Sequence, residues 1–168
     1  MLWEFWKRDY ELFPPEILED KAEINKKPHA IVFVFDGSNS ELFSTIEEMQ
    51  FYRSIVSMCK QRGYTHPFII ISKIDLFEVR LRKEYAKQNL TEKQIEENLV
   101  KAKDKLIDSV SMKLKIHRNY IDFLENYSYE KNTKNMMINY YALVTFKKIL
   151  DECYRYVEKE TRSFCNIF

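Results

Sequence analysis

The chain has 168 residues, 45% of them apolar, with 27 Lys and Arg against 26 Asp and Glu. That is enough chain for one domain with a core, and a net charge of +1 gives no field that would draw it to nucleic acid. It holds two glycines, Gly37 and Gly63, where about 12 would be usual; a phosphate-binding loop or a dinucleotide fingerprint needs glycines at spacings these two cannot supply.

Residues 1–28 form an aromatic-rich leader. Leu2, Trp3, Phe5, Trp6, Tyr10 and Phe13 are followed by Pro14-Pro15, which breaks any helix. Such a segment is expected to pack on the body or dock on a partner. It has charges by Glu4 and Lys7 and no long apolar run, unlike a signal peptide. From Ala30 to Phe35 the run A-I-V-F-V-F reads as a strand buried in a parallel sheet, closed by Asp36-Gly37-Ser38. Ser38 and Glu41 have capping-box spacing. Leu42, Ile46, Met49, Tyr52, Val56 and Cys59 then recur at three and four, which predicts a helix with Gly63 just past its end.

Pro67 to Ser72, P-F-I-I-I-S, predicts a second buried strand, followed by Lys73-Ile74-Asp75 and a helix over Leu76 to Gln88. Thr91 with Gln94 is a second capping box, opening a helix whose face carries Ile95, Leu99, Ala102, Leu106, Val110 and Leu114. Tyr120 to Leu124 predicts a third strand, and Glu125-Asn126-Tyr127 a loop. The last predicted helix runs from Asn135 to Lys159. Met136, Tyr140, Leu143, Leu150 and Val157 are in register on it, and Val144, Ile149, Cys153 and Tyr156 make its other side apolar too. Residues 161–168 are expected to form a short tail. With right-handed crossovers this order gives an α/β domain over residues 29–160, a three-stranded parallel sheet flanked by helices. Three strands are few for an open α/β sheet.

Several chemistries are disfavoured by what the chain lacks. Cys59, Cys153 and Cys165 have no C-x-x-C spacing, and His29, His66 and His117 are isolated, which argues against a disulfide framework and a zinc site. No metal ligand set is expected. The longest apolar stretches fall far short of the roughly 20 residues that span a bilayer, and a cytoplasmic location is expected. Cys165-Asn166-Ile167-Phe168 has the C-a-a-X form with a terminal Phe, which makes Cys165 a candidate for a geranylgeranyl chain and for reversible membrane contact.

Ligands of open parallel sheets sit at the carboxyl ends of the strands. Three polar clusters fall there: Asp36-Gly37-Ser38, Ser72-Lys73-Ile74-Asp75 and Glu125-Asn126-Tyr127. The middle one has the form of the guanine-reading motif of G proteins, [N/T]-K-x-D. An Asp carboxylate accepts two hydrogen bonds from the N1 and N2 edge of guanine, which adenine does not offer, and a Lys two residues earlier lays its stem along the ring. A plainer reading makes Asp75 the N-cap of the helix beginning at Leu76. Asp36 and Asn126 have the same kind of alternative as turn residues. A receiver-like module would use Asp36 and Lys73 as a phospho-acceptor pair, but the hydroxyl-bearing strand it needs between them is missing.

His29 to Ser40, H-A-I-V-F-V-F-D-G-S-N-S, followed by S-K-I-D and F-L-E-N-Y-S in order, resembles the second half of the interferon-induced protein 44 family of GTPase-like proteins over about residues 28–158. The resemblance implies a P-loop GTPase-like fold, with Lys73 and Asp75 facing guanine and Glu125, Asn126 and Tyr127 forming the loop beneath it. No residue carries over as catalytic, since the family's phosphate loop and switch motif have no counterpart here. Ser72 stands where Asn or Thr is usual. The implied function is an incomplete, non-hydrolysing GTPase-like domain serving as a structural or protein-interaction module, with at most weak binding of GTP or GDP. The alternative is the C-terminal half of an active GTP-binding protein whose phosphate-binding half lies upstream or on another chain. A protein partner is expected at the strand edge near Ile31 to Phe35 and at the leader Leu2 to Phe13.

Overall fold

The computed structural model describes residues 28–38, 42–125 and 135–165. The leader before Pro28, Glu41, Asn126, Tyr127 and residues 166–168 lie outside that set, as does the side chain of Cys165. Three strands form one sheet in the order β1-β2-β3, with β1 at Val32–Asp36, β2 at Phe68–Ser72 and β3 at Ile121–Phe123. Both pairings are parallel; Asp36 stands opposite Ser72, and Ile71 opposite Phe123. Among the described residues four helices flank the sheet: α1 (Ile46–Gln61), α2 (Ile74–Ala86), α3 (Glu92–Leu114) and α4 (Met136–Cys165).

The β-branched run of β2 earns the central place, because a strand covered on both faces must be apolar at every position. Ile69 and Ile71 are fully buried on the face that carries Val56 of α1 and Leu106, Val110 and Leu114 of α3. Phe35, Phe43 and Tyr52 stack edge to face at 4.9–5.3 Å on the same side. Phe68 and Asp122 alternate to the opposite face, where α4 lies. That helix buries Ile138, Thr145, Glu152 and Tyr156, and Lys148 Nζ donates to both carboxylate oxygens of Asp122 at 2.7 and 2.9 Å.

The capping box at Thr91 and Gln94 is formed. Gly63 closes α1 in a left-handed conformation (φ 95°), with its N–H on Lys60 O and the Tyr64 N–H on Cys59 O, the paired bonds of a Schellman ending. Arg53 and Lys60 of α1 donate to the terminal carbonyls of α3 at Met112, Lys113 and Lys115, where cations suit the helix dipole.

Four expectations change. Helix α1 starts at Ile46 and is capped by Thr45, whose hydroxyl accepts from Glu48 N at 3.1 Å; Ser38 turns back to Asp36 instead. Helix α2 starts at Ile74, so Asp75 stands in its first turn and Lys73 is the capping position. The third strand is shorter than expected, because Arg118–Tyr120 form a 3-10 turn before it. Helix α4 runs on to Cys165, past Lys159, and its stripe of Met136, Tyr140, Leu143 and Leu150 faces outward. Among the described residues no helix is long and apolar enough to cross a membrane.

Candidate functional site

Asp36 ends β1 and Ser72 ends β2, and the parallel register sets these two residues side by side. Everything that follows in each strand therefore meets at one point. Gly37 N–H donates to Ser72 O at 2.8 Å, and Ser72 Oγ donates to Phe35 O at 3.0 Å. The two strand ends are thus stitched by backbone and side chain together. Gly37 has to be glycine here: an added Cβ would stand 2.7 Å from both Ser72 O and Ile71 Cγ2.

Lys73 takes a left-handed conformation (φ 56°, ψ 35°), which costs a side-chain-bearing residue about 1–2 kcal/mol. The turn aims its ammonium across to β1, where Nζ meets Asp36 Oδ2 at 2.5 Å. Asp36 also accepts from Ser38 N at 2.9 Å and Ser38 Oγ at 2.6 Å, so its Asx-turn reading is borne out and gains a lysine partner. The Lys73 bond above all, then the two from Ser38, hold the Asp36 carboxyl down to about 2. An acid favoured in the folded state contributes stability that is full above its unfolded value near 3.9 and is lost as the pH falls through about 2. A carbon-detected NMR titration of Asp36 should therefore show a midpoint near 2, moving up toward the ordinary carboxylate range in Lys73→Ala. A wild-type midpoint near 4 would contradict the pairing.

Leu124 N–H donates to Ile71 O at 2.9 Å and Leu124 O accepts from Ile74 N at 3.4 Å, which brings the end of β3, with Glu125 after it, against the turn that carries Lys73 and Asp75. Four of the expected residues, Asp36, Lys73, Asp75 and Glu125, thus sit at the carboxyl end of the sheet. Asn126 and Tyr127 lie outside the described residues. Arg80, one and a half turns into α2, is an addition. Its Nη1 donates to Ser38 O at 2.8 Å, its guanidinium lies 5.5 Å from the Phe77 ring centroid, and its Nη2 is buried with no hydrogen-bond partner. Nothing local in the sequence marks Arg80, since its role depends on where the β1 turn folds.

The chemistry this end can offer is one-sided. The turn places Lys73 at the capping position of α2 and Asp75 in its first turn. A phosphate cradle fits poorly among the described residues. The Gly37 amide is already bonded to Ser72, and Gly63 lies at the amino end of the strands, lining a cavity of about 140 Å³ with His29, Tyr64 and Tyr156. Among the described residues no group of three or more His, Cys, Asp or Glu is placed to hold a metal ion.

The family model described as the Gtr1/RagA G protein conserved region matches residues 2–138. The match takes in the aromatic leader and stops near the start of α4. It supports a GTPase-like domain of the P-loop class, and it gives no support to the narrower resemblance to the interferon-induced protein 44 family. No curated protein and no solved structure matches the chain.

Proposed function

The chain belongs to the Gtr1/RagA G protein family, and we propose that it is the base-reading part of a GTPase-like domain, working as an interaction module that does not hydrolyse nucleotide. The observation that carries this reading is the fate of the two glycines. One donates its amide to Ser72 and the other closes α1 at the far end of the sheet, so neither is placed to wrap a phosphate. Lys73 and Asp75 would supply the guanine contacts, with the stem of Lys73 along the ring and Asp75 accepting from the N1 and N2 edge. Asn126 and Tyr127 would form the loop beneath the base.

Base contacts without phosphate contacts leave little affinity, with a Kd of about 0.1 mM or weaker. A calorimetric titration of the full chain with GDP and with ADP tests this. GDP binding in that range or no binding, with any GDP signal removed by Asp75→Ala, is the expected result. Tight GDP binding, or ADP binding of equal strength, would contradict it. One observation favours the second reading, in which a phosphate-binding half comes from upstream or from another chain. The outer edge of β1 has no strand partner among the described residues, and Val34 on it is 64% exposed. An unpaired edge of this kind invites a further strand.

A further inference from the structure

Helix α4 has two apolar faces, and only one is used among the described residues. Ile138, Thr145, Glu152 and Tyr156 are buried, with Tyr156 stacked on Tyr64 at 4.9 Å. Half a turn away, Met136 (84% exposed), Tyr140, Leu143, Leu150 and Tyr154 (71% exposed) form a second stripe, with Phe146 on its flank. Including Lys147, the stripe steps 136, 140, 143, 147, 150, 154, alternating four and three. That is the spacing of the seam between paired helices, in which every position faces one partner. At roughly 150–250 Å² for each large side chain, these residues leave about 800 Å² of apolar surface in water. A typical monomer's largest patch is about 300–600 Å², whereas about 800 Å² on each side is what a stable protein pair buries.

We propose that this stripe is a dimer interface between two copies of the chain, with their α4 helices packed antiparallel about a two-fold axis near residues 148 and 149. The charges select the partner and the direction. Lys147 sits inside the apolar seam and pairs with Asp151 one turn on, at 2.8 Å. A parallel copy in register would set Lys147 against Lys147 of the second copy, two like charges in a seam that excludes water. An antiparallel copy sets Leu143 against Tyr154 of the second copy and Lys147 against Leu150, one residue from Asp151 of the second copy. The two Lys147–Asp151 pairs then close into a four-charge ring at the centre of the interface. Because the buried face of α4 points the opposite way, the two sheets lie on the outside and do not collide.

Sedimentation equilibrium of the full chain, at about 1–100 μM, tests the proposal. Wild type is expected to reach twice the monomer mass. Leu143→Glu with Leu150→Glu is expected to stay monomeric throughout that range with unchanged helical circular dichroism, since both side chains are exposed. Lys147→Glu is expected to weaken the dimer at least tenfold, and Lys147→Glu with Asp151→Lys to restore it. A wild type that is monomeric throughout would overturn the proposal, and so would a dimer indifferent to Leu143 and Leu150. Either result would leave the stripe to the aromatic segment Leu2 to Phe13 or to a different protein. A dimer that Lys147→Glu does not weaken would overturn the antiparallel arrangement.

Discussion

Gly37→Ala is expected to lower stability by about 2–4 kcal/mol, the sum of an overpacked contact and a strained hydrogen bond. The new Cβ would meet Ser72 O and Ile71 Cγ2 at 2.7 Å. The first is main chain of the central strand and the second is the tip of a fully buried side chain, so neither can swing aside. Relief comes only by moving the end of β1 away from β2. That would stretch the Gly37 N–H to Ser72 O bond and the Ser72 Oγ to Phe35 O bond and draw Asp36 off Lys73. Gly63→Ala is the internal control. Its Cβ would make an ordinary 3.6 Å contact with Tyr156, and only the left-handed backbone is strained, at about 1 kcal/mol. Urea unfolding followed by circular dichroism separates the two. Equal losses at both positions would show that steric closure at the strand ends is not what makes Gly37 necessary.

The central strand was legible because its composition is unambiguous, whereas β1, expected to be buried, is an edge strand with Val34 exposed. Phe68 to Ile71 sits under helices on both faces, and a run of F-I-I-I has no polar side to expose. The Thr91 cap and the Gly63 ending were legible for a similar reason, since each rests on side-chain or backbone chemistry within five residues. Helix α4 shows where periodicity stops short. Both of its faces are apolar, and the face that packs on the sheet contains Thr145 and Glu152, so spacing alone favoured the outward stripe. Glu152 accepts from Arg155 Nη1 at 3.0 Å, a local pairing that lets a carboxylate sit low on the buried side.

At the candidate site, the place of Lys73 and Asp75 at the end of β2 was legible, and their partnerships and Arg80 were not. Lys73 and Asp75 are recognisable from three consecutive letters after a strand. That Lys73 reaches Asp36 depends on the parallel register that seats Asp36 beside Ser72, and no single segment encodes register. The start of α2 at Ile74 has the same origin. The left-handed turn at Lys73 lets the helix begin directly after the strand, which moves Asp75 from a cap into the first turn. A carboxylate there suits the helix dipole.

The second large effect expected concerns phosphoryl transfer. Catalysis in this class is almost entirely positioning and electrostatic stabilisation of the transferred phosphoryl group by a backbone cradle, a lysine and Mg²⁺. Lys73 is committed to Asp36, the Gly37 amide to Ser72 and Gly63 to the end of α1. Arg80 has one donor without a hydrogen-bond partner, and that donor is buried. A single-turnover GTP hydrolysis assay on the full chain with Mg²⁺ tests the claim most directly. The expected result is a rate indistinguishable from the uncatalysed background, below the roughly 10⁻⁴ s⁻¹ of a slow G protein. Hydrolysis above that level, abolished by Lys73→Ala, would contradict it.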